Sequence, residues 1–223
     1  MTDAAINAGP RRRHASAVAS DDTLAENPMA GLGTPHSNAI HAERSLGFWF
    51  YLMSDAIIFA VLFANYVVLL HGVADGPGPQ QAFSLGRAAQ ETALLLVSSL
   101  TFGLLSISAL SGRKGMALFW LAVTFALGAA FLVLELQEFK ELIDKGWGPQ
   151  RSGFLSGFFA LVGTHGLHVT TGLIMLLVMA AQLMIKGITE PVLSRLYRVG
   201  LFWHFLDIIW VAVFSVVYLP GAL

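Results

Sequence analysis

The feature that most constrains this chain is an unbroken stretch from Ser152 to Ile185 that contains no Asp, Glu, Lys or Arg. A helix crosses about 30 Å of hydrocarbon with roughly 20 residues, so the sequence predicts a transmembrane helix here. His165 and His168 nevertheless lie in its middle, together with three threonines and three glycines. Lipid cannot hydrogen-bond to imidazole, so we expect both rings to face protein. Because they are three residues apart, they share one helical face.

The composition extends this conclusion to the whole chain. Of its residues 56% are hydrophobic and 12% charged, and the mean hydropathy is +0.68, whereas a soluble domain carries about 25% charged residues. The net charge of −1 argues against nucleic acid as a partner, since phosphates require a basic surface. The absence of cysteine from the sequence excludes disulfides, thiolate metal sites and thiol nucleophiles.

Five apolar segments predict an all-α polytopic membrane protein, a bundle of five transmembrane helices. The predicted spans are about 46–70, 92–110, 116–139, 153–185 and 196–219, within a transmembrane domain of residues 41–223. Residues 1–40 are polar and are predicted to form a disordered cytoplasmic tail. The turn Gly112–Gly115 is so short that the second and third helices are expected to form an antiparallel hairpin.

The distribution of basic residues predicts the orientation. Most of the 13 Lys and Arg residues fall in the N-terminal tail, in the second-to-third turn and in the fourth-to-fifth turn. Basic residues favour the cytoplasmic side. We therefore expect a cytoplasmic N-terminus and a periplasmic C-terminus in a bacterial inner membrane.

Ionisable residues inside the predicted spans are the candidate functional residues. They are Asp55, Glu135, Glu138, His165, His168, His204 and Asp207. Such groups are costly in hydrocarbon, so each is expected to have a protein partner. His204 and Asp207 can pair within one helix. Asp55 has no basic neighbour in its own helix, so we expect it to face another helix as a protonated hydrogen-bond donor.

Three interpretations of these residues differ in function. A di-iron carboxylate enzyme would use Glu and His on several helices, but its usual Glu-x-x-His spacing is absent, and the sequence has Glu-x-x-Glu and His-x-x-His instead. A proton-coupled transporter would use the same residues as a pathway. In the third interpretation the residues form hydrogen bonds that fix the bundle, and this is the one we adopt. We predict no catalytic, cofactor-binding or metal-ligating residue.

The basic residues beside the turns are candidates for contact with anionic lipid headgroups. They are Arg113, Lys114, Lys186, Arg195 and Arg198.

Four stretches together resemble subunit III of the haem-copper respiratory oxidases. They are "GFWFYLMSDAIIFAVLFANY", "FLVLELQEF", "GWGPQRSGFLSGFFALVGTHGLHVTTG" and "GLFWHFLDIIWVAVFSVVYL", and they keep the order of the family. Two features look like the quinol-oxidising branch, the bo-type ubiquinol oxidases. The chain has five predicted spans instead of seven, and Asp55 occupies a place where the cytochrome c branch usually has glutamate.

The resemblance implies an accessory subunit of a proton-pumping terminal ubiquinol oxidase in aerobic respiration. It implies partners in oxidase subunits I, II and IV, bound phospholipid, and ubiquinol as the substrate of the complex. Haems and copper would belong to subunit I. This chain would then support the assembly and stability of the catalytic subunit.

Overall fold

Helices account for the regular structure of the described part of the chain. The computed structural model describes residues 35–73 and 85–220, with side chains from residue 46 onward. The five helices are α1 Pro35–Leu69, α2 Leu85–Leu110, α3 Lys114–Asp144, α4 Gly153–Lys186 and α5 Glu190–Val213. Each contains a stretch that is long and apolar enough to cross a membrane. The prediction of an all-α bundle with five spans is therefore confirmed.

Four of the five helices begin earlier than the apolar pattern indicated, and α4 begins at residue 153 as predicted. Helix α2 begins at Leu85 rather than near residue 92, and α5 begins at Glu190 rather than near residue 196. Hydropathy detects only the part of a helix that contacts hydrocarbon. The first turns of these helices are polar, so they lie outside the stretch that hydropathy detects. Helix α1 begins at Pro35, inside the predicted tail, of which residues 1–34 lie outside the described residues. The sequence Gly-Pro-Gly-Pro at 76–79, between the first two predicted spans, also lies outside them.

Two short turns join neighbouring helices through glycines in the left-handed region. Gly112 (φ 70°) separates α2 from α3, and Gly187 (φ 69°) ends α4. A residue with a side chain is strained at such φ values, so glycine allows the chain to reverse within a few residues. The antiparallel hairpin predicted for α2 and α3 is present. Lys114 donates from Nζ to the carbonyl of Met184 at 3.0 Å, which places the two turns at the same end of the bundle.

Helices α2 to α5 form a group in which α2 contacts α3 and α5, and α4 contacts α3 and α5. Large aromatic side chains fill the space between them, including the buried Trp203, Trp210, Phe102, Phe131 and Phe158. Full burial of residues of this size removes a large apolar area from contact with lipid and gives dense packing. These four helices form the core.

Trp203 shows how small residues allow the core helices to approach. A methyl group at Gly128 of α3 would lie 2.6 Å from its Cη2 atom, and one at Gly172 of α4 would lie 3.1 Å from its Cζ3 atom. The indole Nε1 donates to Oγ of Ser98 on α2 at 3.1 Å. One side chain of α5 therefore contacts all three other core helices.

Helix α1 lies against α4 and α5. The backbone of Tyr66 passes close to Gly157, where an added Cβ would lie 3.4 Å from its Cα. Phe59 contacts Phe205 with ring centroids 6.4 Å apart, and the amide of Phe154 donates to the carbonyl of Gly72 at 3.2 Å. The opposite face of α1 is exposed. It carries Ile57, Ile58, Val61, Val67 and Val68.

Helix α5 ends in a wider π-helical turn at Phe214–Tyr218. The amide of Leu219 donates to the carbonyl of Phe214 at 3.0 Å, closing the loop over five residues instead of four. Such turns hold one extra residue and change the direction of the side chains that follow. Tyr218, at the end of the turn, is 1% exposed and points into the bundle.

Candidate functional site

Asp55 and His168 form the polar contact between α1 and α4. Oδ2 of Asp55 lies 3.6 Å from Nε2 of His168, and the Asp55 side chain is 8% exposed. The other ring nitrogen of His168 lies 2.8 Å from the carbonyl oxygen of Thr164, one turn earlier in α4. This second contact orients the ring toward α1. Asp55 therefore lies beside His168 of α4 at a distance longer than a hydrogen bond, and its role as a protonated donor stays a prediction.

His165 has a different environment although it is only three residues from His168. It is fully buried, and neither ring nitrogen has a hydrogen-bonding partner among the described residues. Its ring lies between Trp210 at 5.2 Å, Phe131 at 5.8 Å and Phe59 at 6.3 Å, measured between ring centroids. An imidazole surrounded by aromatic rings is a packing element at the junction of α1, α3, α4 and α5.

Three carboxyl groups gather between α2 and α3 near one end of the bundle. Glu91, Glu135 and Glu138 are 0%, 1% and 4% exposed, and Glu135 lies within electrostatic range of the other two. Glu135 rests against the backbone of Gly166, where an added Cβ would lie 2.6 Å from its Oε1 atom. Three negative charges would repel one another strongly in a low-dielectric interior. Their burial therefore requires bound protons or counter-charges.

The π-helical turn of α5 supplies a partner for this group. The hydroxyl of Tyr218 donates to Oε2 of Glu138 at 2.8 Å. Nearby, Arg87 of α2 donates from both terminal nitrogens to the two carboxylate oxygens of Glu141 on α3, at 3.0 and 2.9 Å. This planar paired geometry is the strongest form of an arginine–carboxylate contact.

His204 and Asp207 lie on α5 opposite Ser99 of α2. Nδ1 of His204 is 2.7 Å from Oγ of Ser99 and 3.8 Å from Oδ2 of Asp207. The predicted pairing within one helix is thus a loose contact, and the short hydrogen bond goes to another helix. The contact joins α2 to α5.

The predicted headgroup residues lie beside the two turns at the end marked by Lys114. Arg195 donates from Nη1 to Oε1 of Gln182 at 2.9 Å, which joins α5 to α4. Arg198 donates to Oγ of Ser194 in its own helix at 2.9 Å. Arg195 and Arg198 line a groove of about 280 Å³ with the apolar side chains of Phe48, Met175 and Val178. Arg113 and Lys186 are exposed beside the same turns.

The ionisable residues do not converge on a common point. Within residues 35–73 and 85–220, no group of three or more His, Asp or Glu side chains has the geometry to hold a metal ion. The polar contacts instead occupy separate places along the bundle and join several pairs of helices. Their arrangement is suited to hydrogen bonding between helices.

The comparison with known families decides the assignment. The pattern that defines cytochrome c oxidase subunit III matches residues 20–222. The chain belongs to the cytochrome c oxidase subunit III family. The predicted resemblance is therefore confirmed.

Curated relatives in this family are similar over most of their length. Cytochrome bo(3) ubiquinol oxidase subunit 3 of Pseudomonas aeruginosa is 50% identical over 200 residues, covering 90% of this chain and 96% of that protein. The protein of the same name from Pseudomonas putida is 55% identical over 178 residues, covering 80% and 86%. Quinol oxidase subunit 3 of Bacillus subtilis is 38% identical over 176 residues, covering 79% and 86%.

Sequence reasoning missed three polar residues of this subunit III chain. Arg87 and Glu91 lie outside the predicted span 92–110, although both are helical and Glu91 is fully buried. Ser99 lies inside that span, and nothing in the sequence indicates that it is a partner of His204. The spacing of Arg87 and Glu91, one helical turn apart, is the signal that would have extended α2 toward its N-terminus.

Proposed function

We propose that this chain is the accessory subunit III of a proton-pumping ubiquinol oxidase, and that it acts in aerobic respiratory electron transport. The observation that carries the proposal is the 50% identity to a cytochrome bo(3) ubiquinol oxidase subunit 3 over 96% of that protein. The five-span fold agrees with a subunit embedded in a membrane complex. The complex oxidises quinol and reduces oxygen to water, with this chain as a non-catalytic member.

The chain's role is to support the assembly and stability of the catalytic subunit. Its buried polar groups favour this role, because they occupy separate contacts between helices. The haems and copper belong to subunit I, and subunits II and IV complete the complex. Because the chain belongs to this family, the two other interpretations, a di-iron enzyme and a proton-coupled transporter, are not supported.

The location is the bacterial inner membrane, with the N-terminus in the cytoplasm. Basic residues of two turns support this orientation, because Lys114 reaches the end of α4 and so brings both turns to one end of the bundle. Arg113, Lys186 and Arg195 lie at the same end. Basic residues concentrate on the cytoplasmic side of membrane proteins.

Purification of the tagged chain in mild detergent tests the proposal. Haem-bearing subunits are expected to co-purify, giving a haem absorption spectrum and ubiquinol-dependent oxygen uptake. Isolation of a monodisperse chain that is functional without haem-bearing subunits would reject it. The readout does not depend on any single residue.

The groove at Arg195 and Arg198 supports a further part of this proposal, namely that the chain binds an anionic phospholipid. The two guanidinium groups sit at its polar edge, and Phe48, Met175 and Val178 provide apolar surface for an acyl chain. Arginine binds phosphate through paired hydrogen bonds, and an exposed apolar groove in a membrane protein is filled by lipid.

Native mass spectrometry of the purified complex tests the lipid site. Replacing both residues, Arg195→Gln with Arg198→Gln, is expected to remove one bound anionic phospholipid. Arg151→Gln serves as the control, because Arg151 is exposed, lies outside the groove and is not one of the predicted headgroup residues. Equal lipid content in the two variants would contradict the site.

A further inference from the structure

A second groove lies between α1 and α5 and contains one polar side chain. It has a volume of about 310 Å³ and is bordered by Trp49, Met53 and Ala56 of α1 and by Leu201 and Ile208 of α5. His204 is the only titratable residue in its lining. The groove is therefore an apolar surface with a single imidazole.

His204 is exposed at a depth where no water is expected. Its side chain is 45% exposed. It lies six residues beyond Arg198, roughly 9 Å along the helix, and 14 residues before Tyr218, roughly 21 Å. Both distances place the ring inside the hydrocarbon region rather than at a headgroup.

The ring is held in position from inside the bundle. Ser99 on α2 bonds to Nδ1 at 2.7 Å, and the ring of Phe102 contacts the imidazole with centroids 5.7 Å apart. Among the described residues, Nε2 has no hydrogen-bonding partner. The lining of the groove thus includes a fixed imidazole whose Nε2 is unsatisfied among the described residues.

Acyl chains cannot satisfy this nitrogen, because they have neither donors nor acceptors. A side chain on a transmembrane helix can do so, since hydrogen bonds between helices are the usual partners of polar residues inside membranes. Ala56 presents only a methyl group in the groove, which allows a neighbouring helix to approach closely.

We propose that the groove between α1 and α5 receives a transmembrane helix of another oxidase subunit, and that this helix carries a hydroxyl, amide or carboxyl group that hydrogen-bonds to Nε2 of His204. The inference rests on the proposed function, because it requires the other subunits of the complex. The inference adds to the proposed function which face of this chain contacts the other subunits and which chemical groups form the contact.

Photo-crosslinking within the assembled complex identifies the occupant. A photoreactive benzoylphenylalanine is placed at Ile208, which is 69% exposed in the groove, and in a separate variant at Ile174, which is 57% exposed in the groove of Arg195 and Arg198. Illumination is expected to join position 208 to another oxidase subunit and position 174 to lipid. Only lipid or quinone adducts at position 208 would overturn the proposal.

Substitution of the histidine tests the hydrogen bond itself. His204→Leu is expected to release the chain from the complex at a lower detergent concentration than wild type, whereas His204→Gln keeps a polar group and retains it better. Ser106→Ala is the control, because the hydroxyl of Ser106 donates to the carbonyl of Phe102 within α2, and it should resemble wild type in retention. If His204→Leu is retained as strongly as wild type, the polar contact does not exist.

The two hypotheses fail in different ways. If no haem-bearing subunit accompanies the wild-type chain, the proposed function is wrong. If those subunits accompany the chain but position 208 forms no protein adduct, the inference about the groove alone is wrong.

Discussion

Helices α2 to α5 and helix α1 are attached by different means. In the core, glycines accommodate large side chains of neighbouring helices, and side-chain hydrogen bonds such as Trp203 to Ser98 and Thr101 to Thr124 link the helices. Helix α1 contributes large side chains, Phe59 and Tyr66, and one contact between polar side chains, at 3.6 Å. The comparison teaches that confined aromatic rings and short side-chain hydrogen bonds fix the core, whereas α1 depends on a few large side chains and on its close approach to α4.

The exposed surfaces follow the same division. One face of α1 leaves residues such as Ile57, Val61 and Val68 more than half exposed. Of the residues in the most apolar stretch of each helix, 22% are buried in α1 and 28% to 44% in α2 to α5, although those helices also expose large side chains such as Leu110 and Ile185. We therefore expect substitutions in the core to affect the stability of the chain, and substitutions in the contacts of α1 to affect first the attachment of that helix.

The largest effect is expected in the core, from Gly128→Ala. The added methyl group would lie 2.6 Å from Trp203, which Gly172 confines on another side, so the indole has little room to move. Overpacking costs about 3 kcal/mol in such a site. The free energy of unfolding in mixed micelles measures it. Gly103→Ala is the matched control, because nothing lies within 4 Å of that position; equal stability of the two variants would contradict the packing.

The next effect is expected at the contact of α1, from Asp55→Leu. It removes the carboxyl group beside His168 and leaves the partly buried imidazole without a polar neighbour on α1, at a cost of about 2 kcal/mol. Retention of the chain in the complex should weaken before oxygen reduction slows.

Asp55→Asn is the control, because it keeps a donor and nearly the same volume. Assembly, turnover and proton stoichiometry should all be preserved. If Asp55→Asn keeps turnover but lowers the number of protons moved per electron in vesicles, the residue belongs to a proton path and the structural interpretation is wrong.

A smaller effect is expected from His168→Gln in α4. The amide keeps part of the hydrogen bonding, so the loss is about 1 kcal/mol, within the range of interhelical bonds in membranes. Unfolding in mixed micelles measures the loss, and haem content is the second readout and should stay normal. A metal that is present in the wild type and lost in this variant would show that the residue is a ligand.

The smallest effect is expected at the edge of the core, from Arg87→Gln. The pair with Glu141 is well aligned, but its side chains are 31% and 49% exposed, so solvent and salt screen the attraction. The loss of stability should be small and should decline as the salt concentration rises. A double-mutant cycle with Glu141→Gln measures the coupling; a large, salt-independent coupling would contradict this expectation.

The fold was predictable because lipid imposes strong constraints on sequence. A charge-free stretch such as 152–185 has few alternatives to a spanning helix. The burial of His165 followed from the same argument, since hydrocarbon cannot satisfy its ring. The four-helix core did not follow, because hydropathy carries no information on which helices are neighbours.

The contacts of the polar residues were less predictable, because they depend on how each helix is rotated. Spacing places His165 and His168 on one face, but it does not show that His168 meets Asp55 while His165 meets Trp210. Glu91 lies outside the apolar run of α2, so its burial becomes visible only when α3 is placed beside it.

The π-helical turn at Phe214–Tyr218 makes the end of α5 sensitive to chain length rather than to composition. Each residue of an α-helix turns the chain by about 100°. Deleting Val216 would restore the tighter spiral and swing the phenol of Tyr218 by about a quarter-turn away from Glu138. Substitutions that keep the length leave the phenol in place. During evolution this segment is therefore expected to accept exchanges of apolar residues, and to reject single-residue insertions and deletions.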